Sequence, residues 1–315
     1  MTYRELGKTG LNVSRLILGT LTMGPFQANL DLEQGADLIR RAVELGVNML
    51  DTAEVYRTYP YIKRALRGTG DEVMVATKSF AYTWEDMKRS LDRARIGVDR
   101  DVIDVFLLHE QESARTLEGH RRAFDYLLDA KVRGIVRAAG VSTHFVEVAA
   151  VVAEMPEVDV LHPIINREGL GVQGGTLDEM MAAVGKAHDA GKGVYAMKAL
   201  GGGNLLKDVE KNLGWVRDLE FVDAIAVGAV TAAEIEMDAF IIEGRDVPES
   251  VRRAVAKRAK RLFIEEWCKG CGACVKACQF GALSVVGGAA RVDPSRCVLC
   301  GYCAATCPGF HIKVV

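Results

Sequence analysis

From about residue 14 to 243 short apolar runs alternate with segments of helical periodicity. The runs cover residues 15–19, 48–53, 73–78, 102–109, 136–142, 158–166, 193–200 and 223–230. Each holds about five to nine residues, rich in β-branched side chains and apolar in succession, as strands buried on both faces are. Between them the apolar positions fall on one helical face. In the first such segment Leu38, Ile39, Ala42 and Val43 line that face, and Gly46 stands where a helix C-cap belongs. The segments around 119–134 and 175–191 follow the same plan. Eight strand–helix units over some 230 residues match a (β/α)8 TIM barrel in number and length. A doubly wound sheet is the alternative, but no G-x-G-x-x-G follows the first run. Residues 3–14, with Gly7 and Thr9-Gly10 as turn residues, read as a hairpin suited to plug the barrel bottom.

Beyond residue 243 the pattern changes. Over 248–263 Val251, Val255, Ala259 and Leu262 share one helical face, opposite Arg252, Arg253, Lys257, Arg258, Lys260 and Arg261. The basic side is either a solvated face or a cationic strip for anionic clusters or an acidic electron carrier. A helix of about 16 residues spans roughly 24 Å, enough to return the chain to the other end of a barrel.

All eight cysteines lie after this point. Cys268, Cys271, Cys274 and Cys278 read C-x2-C-x2-C-x3-C, and Cys297, Cys300, Cys303 and Cys307 repeat the spacing, with Pro308 next. Thiolates so closely spaced suit a shared soft metal centre. A zinc site more often divides two C-x2-C pairs by a longer spacer, and a disulfide framework suits a short secreted chain. The duplicated run resembles the bacterial ferredoxins that carry two [4Fe-4S] clusters, although Gln279 stands where proline often follows the fourth cysteine. The resemblance implies that the fourth cysteine of each run serves the other cluster. One set is then Cys268, Cys271, Cys274 and Cys307; the other is Cys297, Cys300, Cys303 and Cys278. The chain divides into a barrel over 1–243, a basic linker helix over 244–263 and a small ferredoxin-like α+β domain over 264–315.

With 315 residues, 49% hydrophobic and 26% charged, the composition is that of a globular protein. The net charge of −2 argues against nucleic-acid binding. No apolar run is long enough for a membrane span and the start lacks a signal-peptide core, so the expectation is cytoplasmic.

Barrel active sites lie at the C-terminal ends of the strands. Those positions hold Asp51, with Tyr56 five residues on, then Lys78 and His109. Together they form a proton-transfer set. A phenol titrates near 10, too high to donate readily at neutral pH, and a neighbouring ammonium lowers that value. Asp51 would fix Lys78, Lys78 would tune Tyr56, and His109 would orient a carbonyl towards the phenol.

On YRELGKTGLNVSRLILGT, LDTAEVY, ATK and LLH, residues 3–243 resemble an aldo-keto reductase. The resemblance implies a carbonyl or alcohol as small-molecule substrate, Tyr56 as general acid/base, Lys78 and Asp51 as its partners and His109 as the orienting group. It further implies a nicotinamide dinucleotide across the barrel mouth. The carboxamide contacts would be Ser142 and Asn166; the pyrophosphate loop would be Leu200, Gly201, Gly202 and Gly203; the adenosine end would lie at Gly228, Thr231 and Glu234. Glu234 stands where arginine often grips a 2′-phosphate, which favours NAD over NADP. Met197 replaces an aromatic that stacks on the ring, Thr143 and Arg167 replace amides, Glu110-Gln111 follow His109 where tryptophan is common, and Lys198 replaces a serine. Lys198 is either an added cationic pocket group or a salt-bridge partner. The expected protein is an oxidoreductase that couples this chemistry to electron flow through the clusters, with a ferredoxin as possible redox partner. Two other readings remain open: clusters feeding the pocket without nicotinamide, and a barrel kept as a binding or regulatory subunit.

Overall fold

The computed structural model describes residues 1–68, 72–257, 261–297 and 299–314. A hairpin opens the chain, strand β1 (Tyr3–Glu5) pairing antiparallel with β2 (Asn12–Ser14). Eight parallel strands follow: β3 (Leu16–Gly19), β4 (Met49–Asp51), β5 (Met74–Ser79), β6 (Ile103–Gln111), β7 (Val136–Thr143), β8 (Val160–Pro163), β9 (Gly193–Ala196) and β10 (Ala224–Gly228). Each pairs with its neighbours in chain order, and β10 pairs back to β3 through Ile225 and Leu16, closing the barrel. Every expected strand is present, with its ends shifted by at most four residues. The doubly wound alternative is excluded by the closure.

Helices cover the outside: α1 (Leu32–Glu44), α2 (Tyr59–Leu66), α3 (Trp84–Val98), α4 (Ala114–Gly119), α5 (Arg121–Val132), α6 (Val146–Ala153), α7 (Leu177–Asp189), α8 (Val209–Arg217) and α9 (Ala232–Ile242). Asp31, Ser113, Thr176 and Thr231 open α1, α4, α7 and α9 as reciprocal capping boxes, so local sequence fixes where those helices begin. Leu6, Leu11 and Val13 of the hairpin pack with Ile17, Met49, Met74, Val105 and Tyr195 inside the barrel. The hairpin thus plugs the end opposite the strand C-termini.

The basic helix is shorter than its sequence pattern predicts. α10 spans Glu249–Ala256, and residues 258–260 lie outside the described residues. Arg252 pairs with Glu210 and Arg253 with Glu249, so these two cations are engaged with carboxylates. The chain then forms β11 (Leu262–Ile264), α11 (Ala273–Ala277), β12 (Leu283–Val286), β13 (Ala289–Val292), α12 (Tyr302–Ala305) and β14 (Ile312–Val314). β11 pairs with β14 and β12 with β13, both antiparallel. The core of this unit is Cys274, Leu283, Ala290, Cys303, Ala304, Cys307 and Ile312.

This small unit sits on the barrel's C-terminal mouth. Trp267 meets Phe26 edge-on with ring centroids 5.5 Å apart. Arg261 donates to the Gln27 carbonyl. A Cβ on Gly171 would overlap the Phe310 ring, and one on Gly203 would lie 2.8 Å from the Val314 carbonyl oxygen. No helix among the described residues is long and apolar enough to cross a membrane.

Candidate active site

The chemistry-bearing side chains gather at the mouth because each ends a barrel strand or begins the loop after it. Asp51 ends β4, and a turn of 3-10 helix, Glu54–Tyr56, follows. That turn is anchored: Glu54 Oε2 accepts from the Ser79 and Ser90 hydroxyls at 2.8 and 2.7 Å. Lys78 Nζ donates to both Asp51 oxygens at 2.7 and 2.8 Å and to the Thr52 carbonyl at 2.8 Å. All three ammonium protons are therefore used within the barrel wall. Its nitrogen lies 5.3 Å from the centre of the Tyr56 ring. His109 meets Tyr56 edge-on at 5.7 Å. Asp51, Tyr56, Lys78 and His109 thus form one constellation.

The electrostatics differ from the expected tuning of Tyr56. Burial first, then the Asp51, Glu110 and Glu265 charges, push the phenol well above its ordinary range. Lys78, cancelled by Asp51, does not offset this, and burial lowers its own pKa while Asp51 raises it. Tyr56 is a neutral O–H donor over the physiological range. His109 is held well below its ordinary value by burial and by the Lys78, His162 and Lys198 charges, so its ring is neutral. Its Nδ1 is buried without a partner among the described residues.

Four groups escaped the sequence reading. The Tyr195 hydroxyl donates to Asp51 Oδ1 at 3.0 Å, and His162 stacks on Tyr195 at 3.9 Å. Phe80 stacks on His109 at 4.3 Å, backing the imidazole with an apolar face. Phe310, from the ferredoxin-like unit, lies 5.1 Å beneath the Lys198 ammonium. Lys198, at a positive φ of 56°, also bonds His144 Nε2 at 3.0 Å. It faces the pocket and, among the described residues, pairs with no carboxylate at salt-bridge distance. Burial pulls its pKa down to about 8.

Two cavities meet at Tyr56. One, of about 660 Å³, is lined on the barrel side by Tyr56, Lys78, Phe80, His109, His144 and Lys198, and on the other side by Cys268, Cys271, Cys274 and Cys307. Another cavity, away from the mouth, is lined by Cys278, Cys297, Cys300 and Cys303. The two cavities therefore divide the eight thiols into two groups of four. Among the described residues no group of three or more His, Cys, Asp or Glu side chains converges to hold a single ion. Four thiols around one cavity suit a several-iron cluster. Backbone N–H groups of Ala290, His311 and Ala282 reach the Cys268, Cys307 and Cys278 sulfurs at 3.4, 3.3 and 3.3 Å, which further fits cluster ligation.

The second cavity at Tyr56, of about 240 Å³, runs from Asp51 past Met197, Leu200, Gly202 and Gly203 to Gly228, Glu234 and Asp238. It follows the course expected for a dinucleotide, but Asn166 is not among its lining residues, Ser142 lines the larger cavity, and the expected contact groups are engaged within the protein. Asn166 closes its own loop, donating to the Leu170 carbonyl at 2.8 Å and accepting from the Leu170 N–H at 2.9 Å. Ser142 accepts from the Glu110 N–H at 2.9 Å. Thr231 and Glu234 form the capping box of α9, the Glu234 carboxylate accepting from the Val230 and Thr231 N–H groups at 2.8 and 3.2 Å.

A barrel with this set at its mouth has known counterparts. Residues 15–236 match the Aldo/keto reductase family. The chain belongs to that family. Residues 267–309 match a 4Fe-4S dicluster domain. The chain thus joins an aldo-keto reductase family barrel to a region that matches a 4Fe-4S dicluster domain. It is 29% identical over 164 residues to the aldo-keto reductase YhdN of Bacillus subtilis, covering 47% of this chain and 48% of that protein. It is 33% identical over 159 residues to an aldo-keto reductase of Mycolicibacterium paratuberculosis, covering 45% and 53%. It is 30% identical over 148 residues to a probable voltage-gated potassium channel subunit beta of Arabidopsis thaliana, covering 41% and 43%. The chain spans about half the length of these curated relatives. Among solved structures, a putative aldo-keto reductase of Pseudomonas aeruginosa superposes with a TM-score of 0.67 at 25% identity, covering 77% of this chain and 94% of that one.

Proposed function

We propose that this aldo-keto reductase interconverts a carbonyl and an alcohol on a small molecule, and exchanges the electrons through two [4Fe-4S] clusters. Cys268, Cys271, Cys274 and Cys307 would hold the inner cluster, and Cys278, Cys297, Cys300 and Cys303 the outer one. The observation that carries this reading is the single cavity holding Tyr56 and His109 on one wall and four thiols on the other. When bound, the clusters supply or accept single electrons. Reduction of a carbonyl takes two electrons and two protons, one proton to oxygen and one to carbon. Tyr56, neutral and buried, delivers the proton to oxygen. His109, held neutral and backed by Phe80, orients the carbonyl. Lys198 is the second acid on the cavity wall. Lys78 and Asp51 position Tyr56 without titrating it. The nicotinamide contacts expected at Ser142, Asn166 and Glu234 are engaged within the protein, which favours electrons arriving through the clusters alone. A redox partner such as a ferredoxin would supply them.

Anaerobic preparation tests both halves. The protein should carry about eight iron and eight sulfide per chain and reduce carbonyls with reduced methyl viologen as donor. Tyr56→Phe should lower that turnover by about 10²-fold, the usual scale for losing a positioned acid, with the iron content unchanged. Stoichiometric zinc in place of iron, or a Tyr56→Phe variant as fast as the parent, would overturn the reading.

A further inference from the structure

The smaller cavity at Tyr56 follows a nucleotide's path, but most of the contacts expected for a nucleotide there are engaged within the protein. A pyrophosphate needs free backbone N–H groups or cations. In the glycine loop the N–H groups of Gly201, Gly203, Asn204 and Leu205 donate to the carbonyls of Lys198, Leu200, Gly201 and Leu200. At the N-terminus of α9 the Glu234 carboxylate takes the Val230 and Thr231 N–H groups. The basic groups among the lining residues are Lys198 and Lys313, and Lys313 is paired with Glu265. The C-terminal strand closes the loop side, with the Val314 carbonyl against Gly203.

What remains is a channel with an apolar stretch of wall between polar groups at its two ends. Its walls are Leu206, Val209, Ala226, Val227, Met237 and Val255. At the far end stands Asp238, 5% exposed, with no hydrogen bond or ion pair among the described residues. We infer that this cleft accommodates the hydrocarbon body of the substrate instead of a nicotinamide dinucleotide, with Asp238 meeting a hydroxyl at its far end. The inference rests on the reading that Tyr56 works at the junction of the two cavities, since that places the reacting carbonyl at the cleft's inner end. Burial and the Glu234 charge push the Asp238 carboxyl well above its ordinary range. A neutral acid both donates to and accepts from an alcohol, and it does not tolerate a phosphate or a second carboxylate by charge pairing.

Calorimetry on the anaerobic holoprotein tests this with 2-alkanones from 2-butanone to 2-decanone, and separately with NADH and NADPH. Each added methylene should tighten binding roughly four-fold until the cleft is full, and neither dinucleotide should bind. A terminal hydroxyl on the longest ketone should tighten binding to the parent protein, and that gain should vanish in Asp238→Leu. Affinity independent of chain length, or tight binding of either dinucleotide, would refute the assignment even if Asp238→Leu failed to fold. The binding series needs no turnover, so the two proposals fail separately. Chain-length dependence without reduction of any ketone sinks the role given to Tyr56, while reduction without chain-length dependence sinks the cleft assignment.

Discussion

Asp51 is the hub on which the site residues converge, and its partners show which parts of the site are legible in a sequence. Lys78, Tyr56 and His109 announce themselves because strand ends are where barrel chemistry lies. Tyr195 and His162 do not. They stand inside apolar runs, where an inward-pointing polar side chain reads as packing until its partner across the barrel is known. His162 lies 3.8 Å from Asp51 and is buried to 2% exposure. Burial, offset in part by Asp51, lowers its pKa from 6.5 to about 3. The unfolded chain therefore takes up this proton first on acidification. Stability from neutral His162 is fully present above about 6.5 and is lost as pH falls towards about 3, at roughly 1.4 kcal/mol per pH unit. Urea unfolding at about pH 7.5 and 5.5 should show the parent losing about 1 kcal/mol more than His162→Gln. Equal losses in the two proteins would mean that His162 titrates normally in the fold.

At the scale of elements, strand runs and capped helices were readable because local pattern and tertiary role agree. Asp31 with Gln34 and Thr176 with Glu179 are caps by sequence and caps in space. α10 was not readable to its end: its apolar face continues in sequence to Leu262, yet Leu262 already belongs to β11, paired with Val314. A long-range strand partner overrides a local helical period. The same competition governs Glu234, whose place suggests nucleotide recognition while its carboxylate is spent on the N-terminus of α9. Glu234→Ala should therefore cost about 1 kcal/mol of stability, and Glu234→Gln much less, since glutamine completes a capping box as well. Thermal unfolding of the two variants measures the difference. Equal destabilisation by both would show that charge, not the cap, is what Glu234 supplies.

On the scale of the whole molecule, the two units were each legible, as was the return of the chain to the active-site face, but the residue pairs that dock them were not. The interface uses Phe26, Gln27, Gly171 and Gly203, ordinary loop residues whose pairing with Trp267, Arg261, Phe310 and Val314 no local pattern encodes. That docking makes the two thiol sets unequal. Cys307 shares the cavity of Tyr56, whereas Cys278 lines the cavity away from the mouth. If electrons enter from outside and leave at the substrate, the two sets act in series, and their loss should fail differently. Cys307→Ser should damage the cluster of Cys268, Cys271 and Cys274 and remove carbonyl reduction with every donor. Cys278→Ser should damage the outer cluster and slow reduction by a protein donor such as a ferredoxin, while a small donor able to reach the inner cluster still sustains turnover. Iron content and electron paramagnetic resonance of the reduced variants identify which cluster is lost, and viologen against ferredoxin as donor separates the two steps. If Cys278→Ser abolished turnover with both donors while its inner cluster remained intact and reducible, the clusters would not be arranged as an entry site and a delivery site.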